Sequence, residues 1–202
     1  MEVEAQADPE TVEGSMSTRL TPAGARVLDV ASELFYSEGI NTVGVEGIAR
    51  MAGVTKKTLY DCFGSKDELI AAYLRGRDER WRGWLIDFVE RHATTPRQRL
   101  LATFDALAQW QRNNPRGCGF VNALAELPST AHPGHAAIAA HKRWMLDYLR
   151  QLTVAAGVSD AETVARRLFL LQEGALAATT GELLSDSQQQ AKSAAMVLID
   201  SS

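Results

Sequence analysis

Apolar residues follow helical spacing along almost the whole chain. From Thr21 onward they recur every three or four residues, which is the period of an amphipathic helix. No stretch has the strict apolar–polar alternation of a half-buried strand, and no internal repeat is present. Capping residues and glycines divide the pattern into about nine helices. The sequence therefore predicts an all-α fold, and 202 residues are enough to bury a substantial core.

Charge is distributed unevenly along the chain. The formal net charge is −4, but residues 1–18 contain five acidic and no basic side chains. Residues 19–202 contain all 21 basic residues and the other 20 acidic ones, which leaves +1. Residues 50–66 contain four basic residues and one acidic residue, a small patch of +3. We expect residues 1–18 to be a disordered acidic tail, and the patch alone is a weak indication of phosphate binding.

Several classes of protein are disfavoured by what the sequence lacks. Two cysteines do not suggest a disulfide framework and fit a reducing compartment. No uncharged apolar run approaches the roughly 18 residues that span a bilayer, and the N-terminus lacks a basic-then-apolar signal pattern. No nucleophile elbow, Walker loop, zincin motif or dinucleotide fingerprint occurs. We therefore expect a cytoplasmic protein that has no membrane partner, no catalytic residues and no cofactor.

Three helices near the N-terminus have the organisation of a helix-turn-helix. The first begins at the Thr21-Pro22 pair, a capping residue followed by proline at the first helical position. A second, short helix is stopped by Gly53, and a third begins at Thr55 and ends before Gly64. Two helices joined by a turn of three or four residues that contains glycine form this motif.

The start of the third helix is fixed by apolar side chains. Val54 precedes the cap at Thr55, and Leu59 occupies the fourth helical position, which is the pattern of a hydrophobic staple. Leu59 and Phe63 are four residues apart and so share one face. We expect that face to be buried and the opposite face to be exposed.

The predicted outer face of the third helix has the side chains of a phosphate-binding surface. Lys56 and Lys57 supply ammonium groups that neutralise phosphates, and the phenol of Tyr60 reaches a phosphate or packs against sugar and base edges. The helix N-terminus at Thr55 also presents free N–H groups. Lys66, at the start of the fourth helix, is placed to bind a phosphate of the neighbouring nucleic-acid backbone. Alternatively, these charges only keep a capped helix soluble.

Residues 21–70 resemble the DNA-binding domain of the tetracycline-repressor (TetR) family of bacterial transcriptional regulators. The matching stretches are 31–39 (ASELFYSEG), 48–54 (IARMAGV), 55–60 (TKKTLY) and 63–69 (FGSKDEL). Residues 117–127 (GCGFVNALAEL) resemble a segment found in one branch of the family. The sequence departs from the usual pattern at Gly44, where a hydroxyl cap is common, at Asp61, and at Cys62, where histidine is common.

The resemblance implies a homodimer that places two copies of the third helix in successive major grooves of a palindromic operator, roughly 34–36 Å apart. It implies a helix-turn-helix domain over residues 19–66 and a helical effector-binding and dimerisation domain over residues 67–202. By the same resemblance, the operator contacts are assigned to Thr55, Lys56, Lys57, Thr58 and Tyr60, with Lys66 on a phosphate.

The second domain contains most of the large aromatic residues, which suits a small-molecule cavity. The candidate ligand-binding residues are Trp84, Phe88, Phe104, Trp110, Asn122, Trp144, Tyr148, Phe169 and Glu173. His141 and Gln172 are further polar candidates. Alternatively, the aromatic residues simply fill a core and the polar residues are solvated.

Two further features of this domain have competing interpretations. The spacing of His132, His135 and His141 with Cys118 matches no common zinc site, so a solvated loop is the better account of the first two histidines and no metal is predicted. The last two helices are the predicted dimer surface, unless their apolar faces are buried within one subunit. The residues proposed for that surface are Val164, Leu168, Leu171, Ala175, Ala178, Ala191, Ala194, Ala195, Leu198 and Ile199.

These features together predict a ligand-responsive, DNA-binding transcriptional regulator. Its expected form is a repressor that a small apolar or aromatic effector releases from a palindromic operator. The alternative is a helical small-molecule binding protein without a DNA role, which the acidic total charge favours. An enzyme that uses His141 and Glu173 as a pair is a third hypothesis, but no spacing requires it.

Overall fold

The computed structural model describes residues 20–179 and 184–201, so the predicted tail 1–18 lies outside the described residues. Within them the chain forms nine helices and no strand, as the apolar periodicity predicts. The helices are α1 (Pro22–Ser37), α2 (Val45–Met51), α3 (Lys56–Phe63), α4 (Lys66–His92), α5 (Pro96–Arg112), α6 (Gly119–Glu126), α7 (Pro133–Ala155), α8 (Ala161–Ala178) and α9 (Ser187–Asp200).

Helices α1, α2 and α3 pack with the first turns of α4 around one apolar core, to which α6 and α7 also contribute buried side chains such as Phe120 and Ile138. Val27, Ile48, Leu59 and Leu69 in this core are fully buried. Val54 is half-buried against the same cluster, in the position predicted for the staple. Leu59 thus fixes α3 to the other two helices, which makes these helices one small packed unit.

The remaining helices form a larger bundle around α4. The second half of α4 packs on α5 and α7, while α8 packs between α7 and α9. The core of this bundle includes the fully buried side chains of Leu85, Leu100, Leu149 and Leu168. Because α4 runs without a break over 27 residues, the same helix contributes to both cores.

Side chains cap most helix starts where the sequence predicts them. The Thr95 hydroxyl accepts from the Gln98 backbone N–H, and the Gln98 side-chain oxygen accepts from the Thr95 backbone N–H. The two bonds form a capping box. For α8 the Ser159-x-x-Glu162 pattern predicts a cap at Ser159, which is wrong in detail, because Asp160 accepts from the Thr163 N–H at 3.3 Å. Aspartate caps as well as serine does, so adjacent candidates are not separated by type alone.

Two boundaries of the last helices also differ from what the sequence predicts. The apolar spacing predicts an end of α8 near Leu184, but the helix ends at Ala178, and the Thr179 hydroxyl donates back to the Leu176 carbonyl at 3.0 Å. The Ser185-x-x-Gln188 pattern predicts that α9 starts at Ser185, but its N-cap is Asp186 and its first residue is Ser187. The difference at α9 is within the two to four residues by which helix ends are uncertain from sequence, whereas the end of α8 lies six residues before the predicted one.

The residues predicted for the dimer surface mostly face the interior of the subunit. Six of them are buried in the bundle core: Val164, Leu168, Ala175, Ala191, Ala195 and Ile199. The others, Leu171, Ala178, Ala194 and Leu198, are half-buried. The strongly exposed apolar residues of α8 and α9 are instead Leu170 and Val197, each 67% exposed. The apolar stripe that helical spacing marks is thus the one buried within the subunit, while the exposed faces also contain polar residues such as Arg166, Arg167 and Gln190.

Leu59→Ala should destabilise the protein by about 2–5 kcal/mol, because it leaves a cavity in a fully buried site. Met51→Ala is the matched control at an exposed position in the same small unit, and should change stability by no more than about 0.5 kcal/mol. Urea unfolding followed by circular dichroism measures both free energies. Equal losses in the two variants would contradict the assignment of Leu59 as the anchor of α3.

Candidate nucleic-acid interface and effector cavity

Helix α3 is held rigid at its first turn by a side-chain cap. The Thr55 hydroxyl accepts from the Thr58 backbone N–H at 3.1 Å, and the two threonine hydroxyls lie 2.9 Å apart. Leu59 is fully buried beneath them, whereas the Lys57 side chain is 82% exposed. The predicted division of α3 into a buried and an exposed face is confirmed.

Both lysines of the exposed face are ion-paired within the protein. Lys56 Nζ lies 2.5 Å from Glu46 Oε1 on α2, and Lys57 Nζ lies 2.7 Å from Asp61 Oδ2 one turn further along α3. The hydrogen bond with Glu46 raises the pKa of Lys56, and the same bond lowers the pKa of Glu46. The pairs are exposed, so water and salt weaken them and phosphate oxygens can replace the carboxylates.

The other predicted contact residues differ in how available they are. Tyr60 is exposed, and its ring lies 6.0 Å from Lys56 Nζ. Thr58 is half-buried, and its hydroxyl is hydrogen-bonded to the Thr55 hydroxyl. Lys66 donates to the Ile40 carbonyl at 2.8 Å, which ties the start of α4 to the loop after α1. The assignment of Lys66 to a phosphate stays a prediction, and that contact requires the amine to leave the carbonyl.

The three departures from the usual pattern have structural consequences. Gly44 precedes α2 and has no side chain to cap it, so it offers the helix only its backbone carbonyl, which accepts from the Ile48 N–H at 3.2 Å. The Asp61 carboxylate forms an ion pair with Lys57. The Cys62 Sγ lies 3.7 Å from the Thr21 hydroxyl, so this side chain contacts the start of α1.

Comparison with known proteins identifies the family that shares this arrangement of helices. Residues 27–73 match the sequence profile described as bacterial regulatory proteins, tetR family. The structure superposes on SCO4454, a TetR-family transcriptional regulator from Streptomyces coelicolor, with a TM-score of 0.79 and 34% identity, over 89% of this chain and 95% of that one. The chain belongs to the TetR family. It is therefore a DNA-binding transcriptional regulator, and the alternative of a binding protein without a DNA role is not supported.

Curated relatives of this TetR-family regulator are also transcriptional regulators. The HTH-type transcriptional regulator YjdC of Escherichia coli is 27% identical over 74% of this chain and 79% of its own length. The HTH-type transcriptional activator FasR of Mycolicibacterium smegmatis is 35% identical over 46% of this chain and 42% of its own length. TetR-family regulators are dimers that bind DNA operators and small-molecule effectors. Within the described residues, no helix is both long and apolar enough to cross a bilayer.

The larger bundle of the TetR-family regulator forms a small, partly open cavity between α4, α5, α7 and α8, bordered on one side by residues 117–120. Its volume is about 40 Å³. Apolar and aromatic side chains form most of the wall: Trp81, Leu107, Trp110, Phe120, Met145 and Leu176. The polar lining consists of Arg77, Gln111, Cys118, His141, Lys142, Gln172 and Glu173.

Only part of the predicted ligand-binding set meets at this cavity. Trp110 and Glu173 line it, as do the further candidates His141 and Gln172. Trp84 and Phe88 instead belong to a cluster of packed rings beside it, and Phe104 and Phe169 pack in the bundle core. Trp144 and Tyr148 stack on each other along a separate groove, and Asn122 donates to the Arg116 carbonyl. For these seven residues, a ligand contact stays a prediction.

Sequence reasoning missed eleven of the fifteen lining residues, among them Arg77, Trp81, Lys142 and Met145. A signal for the first two was present, because Arg77 and Trp81 are one turn apart on the apolar stripe of α4 that contains Leu74 and Leu85. A charged residue on a buried stripe needs a partner or a function.

The polar side chains of the cavity wall do not form the His141–Glu173 pair of the enzyme hypothesis. Glu173 binds Lys142 Nζ through both oxygens, at 2.6 and 2.7 Å, so no His141–Glu173 pair exists. His141 Nδ1 lies 2.8 Å from Asp78 Oδ1. Burial lowers the pKa of His141 despite that bond, which keeps the ring neutral at pH 7. Burial acts to raise the pKa of Asp78, but hydrogen bonds from His141 and Arg82 outweigh it and the pKa is lowered.

The expectation of a solvated loop at His132 is wrong. His132 is buried and caps α7, with its Nδ1 accepting from the Gly134 N–H at 2.9 Å. The reason is that Pro133 is the first residue of α7 and not part of a free turn. Among residues 20–179 and 184–201, no group of three or more potential metal ligands lies together.

Glu46→Gln should strengthen DNA binding severalfold at low salt, because it frees Lys56 and removes a negative charge from the surface predicted to face phosphates. Glu162→Gln makes the same charge change on α8, where Glu162 pairs with Arg166, and should leave DNA affinity unchanged. Fluorescence anisotropy with a labelled duplex measures both. Unchanged binding by Glu46→Gln would show that Lys56 does not approach phosphate.

Proposed function

We propose that this regulator is a homodimeric repressor that a small-molecule effector releases from a palindromic operator. The observation that carries the proposal is the exposed face of α3, where Lys56, Lys57 and Tyr60 project from a helix anchored by the buried Leu59. Two such helices related by a two-fold axis enter successive major grooves. The protein acts in the cytoplasm, where bacterial operators lie, and has no catalytic role.

Binding to the operator exchanges carboxylate partners for phosphates. Lys56 leaves Glu46 and Lys57 leaves Asp61, and each ammonium then displaces a counterion from the DNA. Tyr60 and Thr55 contribute hydrogen bonds at the groove edge. Because the free protein already pairs its lysines, the net gain on binding comes mainly from released counterions and depends on salt.

We also propose the division of labour between the two parts of the chain. Residues 19–66 form the DNA-binding domain, and residues 67–202 form the effector-binding and dimerisation domain. The boundary coincides with the start of α4, which packs on α1 at one end and on α7 further along. A ligand in the bundle that displaces α4 therefore changes the spacing of the two α3 helices.

The operator assignment predicts a specific salt dependence. Lys56→Ala and Lys57→Ala should each weaken DNA binding and lower the slope of log K against log salt by about 1, the value for one lost phosphate contact. Arg150→Ala, at an exposed site on α7, is the matched control and should keep the parental slope. Mobility shifts on DNA that flanks the regulator's own gene, at several salt concentrations, measure the slopes.

Parental slopes in both lysine variants would contradict the assignment of α3 as the DNA-reading helix. The sign of regulation needs a separate measurement, because FasR is named an activator. A reporter driven by the bound promoter should rise when the regulator's gene is deleted. A fall would make this protein an activator.

We propose that the dimer forms through the outward faces of α8 and α9. Leu170 and Val197 are each 67% exposed, and Gly174 and Ala177 continue the exposed stripe of α8. Small residues on that stripe allow two helices to approach closely. Pairing α8 and α9 with their symmetry copies makes a four-helix contact that covers Leu170 and Val197.

Leu170→Glu and Val197→Glu should convert the dimer to a monomer, because each places two like charges at the two-fold interface. Val154→Glu, at an exposed position on α7, is the matched control and should leave the dimer intact. Light scattering after gel filtration measures the mass. Dimers in both α8 and α9 variants would place the interface elsewhere.

A further inference from the structure

The cavity in the bundle has an unbalanced positive charge. Three of its lining residues are formally charged: Arg77, Lys142 and Glu173. Glu173 holds Lys142 with both oxygens, and the neighbouring His141 is neutral at pH 7 because burial lowers its pKa. Arg77 has no carboxylate oxygen within 4.0 Å in the described part of the chain. The lining therefore sums to +1, and that charge belongs to Arg77.

Arg77 is also in an environment that makes an uncompensated charge costly. Its exposure is only 8%. One Nη donates to Asn114 Oδ1 at 2.9 Å, and the guanidinium lies 4.4 Å over the ring of Tyr36. Amide and ring contacts offset part of the desolvation, but a carboxylate offers a bidentate partner that neither supplies.

The rest of the wall favours a ligand with an apolar body. Trp81, Trp110, Phe120 and Met145 surround the space next to Arg77. The volume of about 40 Å³ holds about three water molecules, so any larger occupant must displace part of the wall. Gly119 and Arg77 are already in close contact, because a Cβ at position 119 would lie 2.7 Å from Arg77 Nε. A ligand that pushes Gly119 and Arg77 apart therefore moves the Arg77 side chain itself.

Arg77 connects the cavity to the DNA-binding unit through Tyr36 on α1. The Tyr36 hydroxyl accepts from the Arg116 backbone N–H at 3.1 Å, and the Arg116 guanidinium donates to the Tyr36 carbonyl at 2.6 Å. The loop after α1 is also tied to α6, since Asn41 N–H donates to Glu126 at 2.8 Å. A ligand that draws Arg77 from the Tyr36 ring loosens one of the contacts that hold α1 against the bundle.

We propose that the cavity binds an organic carboxylate with an aromatic or aliphatic body, with its carboxylate on Arg77, and that the Arg77–Tyr36 contact transmits binding to α1. This rests on the proposed role of the bundle as the effector domain and narrows the effector from any apolar molecule to an organic anion. The aromatic wall receives the body, and Arg77 sets the requirement for negative charge.

Paired ligands test the requirement for charge. Benzoate, 2-naphthoate and hexanoate are each titrated calorimetrically beside the corresponding neutral amide. At least one carboxylate should bind the parent protein about tenfold or more tightly than its amide, as expected for a charge-assisted pair. Arg77→Met should remove the preference while keeping amide binding, which shows that the cavity is still folded. Arg80→Met, an exposed site on the same helix, should keep the preference.

Equal affinities for every acid and its amide, or a preference that survives Arg77→Met, would overturn the proposal. Tyr36→Leu should keep the preference but abolish the effect of the preferred acid on DNA affinity, and an undiminished effect would overturn the transmission step. DNA binding without ligand is measured in parallel. A parent that binds DNA but shows no acid preference contradicts the anion proposal alone, whereas a parent that binds no DNA contradicts the proposed repressor.

Discussion

The burial of Leu59 is the interaction on which the DNA-binding surface depends. Helix α3 has only eight residues, too few to be stable alone. Its position is fixed because Leu59 packs into the core that α1, α2 and α4 share, and because Thr55 caps its first turn. Only such a rigid helix can present Lys56 and Lys57 at a constant angle, so the apolar face determines how well the charged face works.

The continuity of α4 is the second constraint, because it makes the two cores mechanically dependent. Leu69 near its start belongs to the core beneath α3, while Leu85 belongs to the aromatic cluster beside the cavity. A straight helix transmits displacement along its axis without needing a chain of side-chain contacts. Any rearrangement of the bundle that tilts α4 therefore moves the DNA-binding unit as well.

The sequence predicted the small N-terminal unit far better than the cavity. Thr21, Leu59 and Ser65 carry local signals, since caps and staples act over three to five residues. Whether the apolar stripe of α8 packs within its own subunit or against a second copy depends on contacts with α7 and α9, which no local pattern encodes. The same dependence on packing explains why Phe104, an expected cavity residue, lies in the core. Arg77 differs, because a charged residue on the apolar stripe of α4 is itself a signal in the sequence.

Arg77 shows how a binding site and a transmission path can share one side chain. A ligand shifts a conformational equilibrium only by the difference in its affinity for the two conformers. If the ligand's carboxylate contacted a residue whose position is the same in both conformers, even tight binding would leave the affinity for DNA unchanged. Arg77 meets the condition because its contact with Tyr36 competes with the ligand for the same guanidinium. The contact that stabilises one conformer is therefore the one that binding weakens.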